Sequence, residues 1–119
     1  MSYLTQYAVA AGRGARVDER TRLNRPAFDG GAEVRVYVED TSTHRIRRRR
    51  LPSPRLKLRI ADCVNEINLE FSVDSAEVRE NSLHKIETLI AALERFRVGL
   101  AAEAELRAQR ERARHREEV

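Results

Sequence analysis

The chain has 119 residues, of which 41% are hydrophobic and 35% are charged, and its net charge is +4. This length fits one domain and excludes a multidomain enzyme, while the apolar content is too high for a wholly disordered chain. The single cysteine, Cys63, excludes an internal disulfide and a cysteine-rich metal site, and with them a stapled extracellular module.

Hydropathy indicates a soluble protein. No apolar run approaches the roughly 18 residues that span a bilayer, and no basic residue precedes the short apolar stretch near the N-terminus. We therefore expect a cytoplasmic chain, or one within an assembly built inside the cell, with no signal peptide, no transmembrane segment and no membrane partner.

The modest net charge hides a bipolar distribution. Residues 33–60 contain nine basic and three acidic side chains, whereas residues 61–106 contain four basic and ten acidic ones. A basic half and an acidic half can pair within the chain, pair between copies, or leave the basic half for a polyanion.

Residues 1–32 hold four of the five glycines and show no sustained period, which predicts an irregular N-terminal arm. After this arm, three segments alternate between apolar and polar residues, as half-buried strands do. Their apolar positions are Val34, Val36 and Val38; Leu56, Leu58 and Ile60; and Ile67, Leu69, Phe71 and Val73.

The second and third segments are close enough to form an antiparallel hairpin through residues 62–66, which would place Lys57 and Arg59 across from Glu70 and its polar neighbours. A basic fourth strand over residues 44–51 is an alternative extension of the sheet. Pro52 and Pro54 would end that strand.

The remaining segment has the three- and four-residue spacing of an amphipathic helix, with Asp74 or Ser75 as its cap and Glu77 in its first turn. Its apolar residues are Leu83, Ile86, Leu89, Ile90, Leu93, Phe96 and Leu100. The predicted fold is therefore α+β: a three-stranded antiparallel sheet, with four strands as the alternative, covered by one long C-terminal helix. We place a single domain at residues 33–106 and a charged helical or frayed tail at 107–119.

Catalytic machinery is not evident. The three histidines, His44, His84 and His115, do not share metal-ligand spacing, and acidic neighbours disfavour a thiolate at Cys63. The acidic series from Asp62 to Asp74 is the basis of a distant third interpretation, a metal-dependent enzyme. We expect a non-enzymatic chain without a metal or cofactor.

The arginine-rich segment is the most distinctive feature of the sequence. Its candidate contacts to phosphates or to partner carboxylates are Arg45, Arg47, Arg48, Arg49, Arg50 and Arg55. Clustered arginines bind polyanions, but neither an aromatic residue nor a DNA- or RNA-binding motif accompanies them.

The second half of the predicted helix is a candidate association face, made of Phe96, Gly99 and Leu100. Apolar residues continue here after the sheet has been covered, and glycine permits close approach of another backbone. We expect a small non-catalytic assembly protein that contacts partner chains, copies of itself among them, through the arm, the arginine-rich segment and the helix. The alternative is a basic nucleic-acid-binding protein that contacts phosphates without strong sequence preference.

Overall fold

The computed structural model describes residues 15–28, 30–39 and 55–118. Within these ranges the chain forms four strands followed by one helix. The elements are β1 (Ala15–Arg22), β2 (Glu33–Glu39), β3 (Arg55–Asp62), β4 (Asn65–Glu70) and α1 (Ala76–Glu118). The α+β class is confirmed.

The strands form one antiparallel sheet in the order β1-β2-β3-β4, so that each strand pairs with its neighbour in the chain. The sheet therefore has four strands, and the additional strand is β1, which the sequence pattern does not predict. The assignment of residues 15–22 to the irregular arm is wrong. The basic strand considered at residues 44–51 lies outside the described residues.

The hairpin between β3 and β4 is confirmed. A two-residue turn, Cys63 and Val64, connects the strands, and Lys57 lies directly opposite Glu70 as predicted. β4 ends at Glu70 rather than at the predicted Val73, since Lys57 and Glu70 form the last backbone pair between β3 and β4. The next residues lead into the helix cap instead.

The helix begins where its capping residues predict. The Val78 backbone N–H donates a hydrogen bond to the Ser75 hydroxyl at 3.3 Å, so Ser75 is the N-cap. Glu77 lies in the first turn, and His115 and Arg116 lie in the last, where their charges suit the helix dipole. The helix runs for 43 residues and includes the predicted tail up to Glu118.

The described residues fall into two compact units, the sheet with the start of α1 up to Arg79, and the rest of α1 from Glu80. Their buried hydrophobic residues are only Ala32 and Ala61, and no residue of α1 is buried. A core shared by the sheet and the helix, inferred from their matching apolar stripes, therefore stays a prediction.

Candidate interaction surfaces

Of the six candidate contacts in the arginine-rich segment, the structure describes only Arg55. Arg45 and Arg47 to Arg50 lie outside the described residues. Arg55 is the first residue of β3, where its backbone pairs with Glu39. The described part of the chain thus brings none of the six candidate contacts together.

The candidate association face lies in α1 and is open to solvent. Phe96 is 67% exposed and Leu100 58% exposed, and a Cβ added at Gly99 would meet no atom within 4 Å. Phe96 and Leu100 continue a three- and four-residue repeat that is typical of helix association. We define this set as the α1 seam: Ile86, Leu89, Leu93, Phe96 and Leu100.

A second apolar surface is one face of the sheet, which follows from the strand register because directly paired residues lie on the same face. Val36 lies opposite Leu58, which in turn lies opposite Leu69. The aliphatic residues on this apolar face are Val17, Val34, Val36, Val38, Leu56, Leu58, Ile60, Ile67 and Leu69. None of them is buried, and Ile67 is 60% exposed.

The opposite, polar face of the sheet carries an arginine row that sequence analysis did not identify. Arg20, Arg35 and Arg59 lie directly opposite one another on β1, β2 and β3. Like charges in this position repel, so the row is costly unless anions neutralise it. The alternation in β2 and β3 already indicated that Arg35 and Arg59 point away from the apolar residues, but their alignment depends on the register.

Carboxylates of the same face neutralise part of this row. Arg59 contacts Glu66 through two nitrogens and approaches Glu33 at 3.4 Å, while Arg35 lies 3.6 Å from Asp18. The hydrogen bond from Arg59 lowers the pKa of the Glu66 carboxyl, and the same bond raises the pKa of Arg59. The face is therefore zwitterionic, with Arg59 the most fully paired member of the row.

Arg35 is less completely satisfied than Arg59. Its Nε is buried and donates no hydrogen bond to any described residue, although its guanidinium lies 5.5 Å from the centre of the Tyr37 ring. Next to it, a concavity of about 420 Å³ opens over β2, β3 and β4. Its described lining consists of five polar-face residues, Arg35, Lys57, Arg59, Asn68 and Glu70, together with Leu56, Leu58 and Leu69 of the same strands.

The residues considered for catalysis do not form a cluster in the part of the chain that can be described. No group of three or more histidine, cysteine or acidic residues is placed there to hold a metal ion. Cys63 is a free, exposed thiol in the β3–β4 turn, and His84 and His115 lie 31 positions apart along α1. His44 lies outside the described residues.

The chain has no match among protein-family models, curated proteins or solved structures. Among the described residues, no helix is long and apolar enough to cross a membrane. The described residues thus present three candidate interaction surfaces: the α1 seam, the apolar face of the sheet, and the polar face with its arginine row.

Proposed function

We propose that this chain is a non-catalytic interaction and assembly protein. It contacts partner chains, copies of itself among them, through the α1 seam, together with the N-terminal arm and the arginine-rich segment. The observation that supports this proposal is the exposure of the large apolar side chains of α1 in a chain whose described residues bury no large one completely. These exposed residues are Val78, Leu83, Ile90, Leu93, Phe96, Val98, Leu100 and Leu106.

The energetics favour association. Burial of one large aliphatic or phenyl side chain contributes roughly 1.5 to 3 kcal/mol, so the five seam residues can outweigh the cost of bringing two molecules together. In folded proteins most helical stability comes from packing of an apolar face, and no residue of the 43-residue α1 is buried. A partner surface along the seam would supply that packing.

Two flanking residues suit a close partner. Ala92 and Gly99 each precede a seam leucine, and they are one heptad apart. Neither projects a large side chain, so a neighbouring backbone can approach more closely than it could beside leucine or arginine.

The test compares two substitutions of equally exposed residues. Phe96 and Val98 are both 67% exposed, but only Phe96 belongs to the seam. We expect Phe96→Ala to lower the mass of the assembly that the 119-residue chain forms, measured by light scattering or sedimentation, and Val98→Ala to leave that mass unchanged. Far-UV circular dichroism verifies that both variants remain helical.

Either of two results would count against assembly through the seam. One is that the unmodified protein is monomeric at tens of micromolar concentration and that no added partner protein slows the amide hydrogen exchange of α1. The other is an equal loss of mass in Phe96→Ala and Val98→Ala, which would indicate nonspecific apolar contact.

Binding of nucleic acid is the second candidate function. The specific observation is that Arg20 and Lys57, both exposed on the polar face, make no ion pair with a described residue. Their charge adds to that of the arginine-rich segment, which precedes β3 in the sequence. If the chain has this function, its affinity for nucleic acid should fall as salt is added. A plot of the logarithm of the binding constant against the logarithm of the salt concentration should then have a slope of about −0.9 for each phosphate contact to duplex DNA.

Replacing Arg47, Arg48, Arg49 and Arg50 together by glutamine separates the two functions. If the arginines contact phosphates, the substitution weakens nucleic-acid binding and makes the binding constant less dependent on salt concentration. The mass of the assembly in solution is then unchanged. If they pair with carboxylates at an interface, the mass changes and nucleic-acid affinity is weak from the start.

A further inference from the structure

The concavity on the polar face concentrates positive charge. Arg35, Lys57 and Arg59 contribute three cations to its lining, Glu70 contributes one carboxylate, and Asn68 contributes an amide. Its volume of about 420 Å³ lies within the range of small-molecule sites. The excess of cations predicts an anionic ligand and disfavours a metal ion.

Two of these cations have donors available. Lys57 makes no ion pair with a described residue. Arg35 has a buried Nε that donates no hydrogen bond to any described residue, and its Nη2 lies 3.6 Å from Asp18, beyond ordinary hydrogen-bond length. A donor without an acceptor is unfavourable, and an oxyanion that accepts hydrogen bonds from this guanidinium would reduce that cost.

The third cation acts mainly through its charge. Arg59 donates to Glu66 and approaches Glu33, so most of its hydrogen bonds are already made. Its position directly opposite Arg35 nevertheless adds repulsion that a multiply charged ligand would reduce.

We propose that this concavity is a phosphate-binding site, in which Arg35 and Lys57 donate hydrogen bonds to the phosphate oxygens and Arg59 contributes charge. A phosphate presents several acceptor oxygens and can face two cations at once, and the fork of an arginine guanidinium matches its geometry. A monocarboxylate would bring only a single carboxylate, a group that Glu70 already supplies to this lining. None of the described lining residues belongs to the arginine-rich segment, and the proposal does not depend on the proposed assembly through α1.

The phosphate can belong to a free phosphorylated molecule or to the backbone of a polynucleotide. The probes are therefore pyrophosphate and a single-stranded oligonucleotide of about ten nucleotides, a length comparable to the footprint of a small binding domain. Each is titrated calorimetrically into the 119-residue chain at about 150 mM salt, because screening by salt weakens nonspecific attraction between exposed charges.

Lys57→Gln is the principal variant, since it removes a cation that has no described ion pair. Arg95→Gln is its matched control: Arg95 is an exposed cation of α1 that also makes no ion pair with a described residue. We expect Lys57→Gln to weaken pyrophosphate binding at least about tenfold, the loss typical of one charge-assisted hydrogen bond. Arg95→Gln should change it less than twofold, and the circular dichroism of both variants should match that of the unmodified protein.

Arg35→Gln provides a second measurement with the same expected direction. If Lys57→Gln weakens both probes, the site also accepts a polynucleotide backbone; if it weakens pyrophosphate alone, the source is a free phosphorylated molecule. No saturation at about 10 mM pyrophosphate, well above a 1 mM dissociation constant, would overturn the proposal. Equal losses in Lys57→Gln and Arg95→Gln would overturn it as well.

Discussion

Arg59 on β3 donates a hydrogen bond through Nε to Oε2 of Glu66 on β4, with a donor–acceptor distance of 3.0 Å. The two residues are not directly opposite, because Arg59 faces Asn68 and Glu66 faces Ala61. The ion pair therefore runs diagonally across the hairpin and connects two adjacent rows of the polar face. It lowers the pKa of Glu66 and raises that of Arg59.

This ion pair predicts a dependence of stability on pH. Because the folded pKa of Glu66 is depressed, its stabilising effect is present above the pKa of the unfolded carboxyl and is lost as the pH falls through the folded value. We expect Glu66→Gln to flatten the fall in the urea midpoint below about pH 5. Glu80→Gln, at an exposed site without a described ion pair, should follow the unmodified protein. Parallel curves for the unmodified protein and Glu66→Gln would contradict this assignment.

The strands with a regular apolar alternation could be predicted from the sequence. The three valines of β2 and the aliphatic residues of β3 and β4 pair with one another in the structure, as their period indicates. β1 could not be found in this way, since it places Val17, Glu19 and Thr21 opposite the valines of β2. A strand at the edge of a sheet tolerates polar residues on both faces, so its sequence lacks the period of a half-buried strand.

The candidate surfaces were predictable to different degrees. Helical spacing alone predicts that Phe96 and Leu100 belong to the candidate association face. The arginine row required the register, because Arg20 and Arg35 are 15 residues apart and meet only through the pairing of β1 with β2. Because the sequence does not predict β1 as a strand, it could not predict the pairing of β1 with β2 either.

The turn between β3 and β4 offers a test of backbone strain. Cys63 has φ = 55°, in the left-handed region that disfavours residues with a Cβ, whereas Val64 does not have a positive φ. We expect Cys63→Gly to raise the free energy of unfolding by up to about 1 kcal/mol and Val64→Gly to lower it by adding freedom to the unfolded chain. Urea denaturation measures both variants. A destabilised Cys63→Gly would contradict the assigned turn geometry.

Substitution of Gly99 should affect the stability of the α1 helix and its association with a partner in opposite directions. A Cβ at this position meets open space in the single chain, so Gly99→Ala should stabilise the helix by about 1 kcal/mol. If a partner backbone approaches closely here, the same methyl group should weaken association. We therefore expect higher helicity at dilute protein concentration together with a higher dissociation constant in sedimentation. Stronger association in Gly99→Ala would show that the partner does not approach at this point.

The apolar face of the sheet permits a comparison of two aliphatic residues that differ in exposure. Leu58 is half-buried between Val36 and Leu69, whereas Ile67, at the end of the face beside Ile60, is 60% exposed. Truncation of a half-buried leucine removes packing on both sides, so we expect Leu58→Ala to lower the free energy of unfolding by about 1 to 3 kcal/mol.

Ile67→Ala should cost less than about 1 kcal/mol, because much of its side chain already contacts solvent. Urea denaturation at two protein concentrations tests both variants, since stability that depends on concentration reports association. A cost for Ile67→Ala equal to that for Leu58→Ala would contradict the exposure of this face. If that cost also grew with protein concentration, a partner chain would be the surface that covers Ile67.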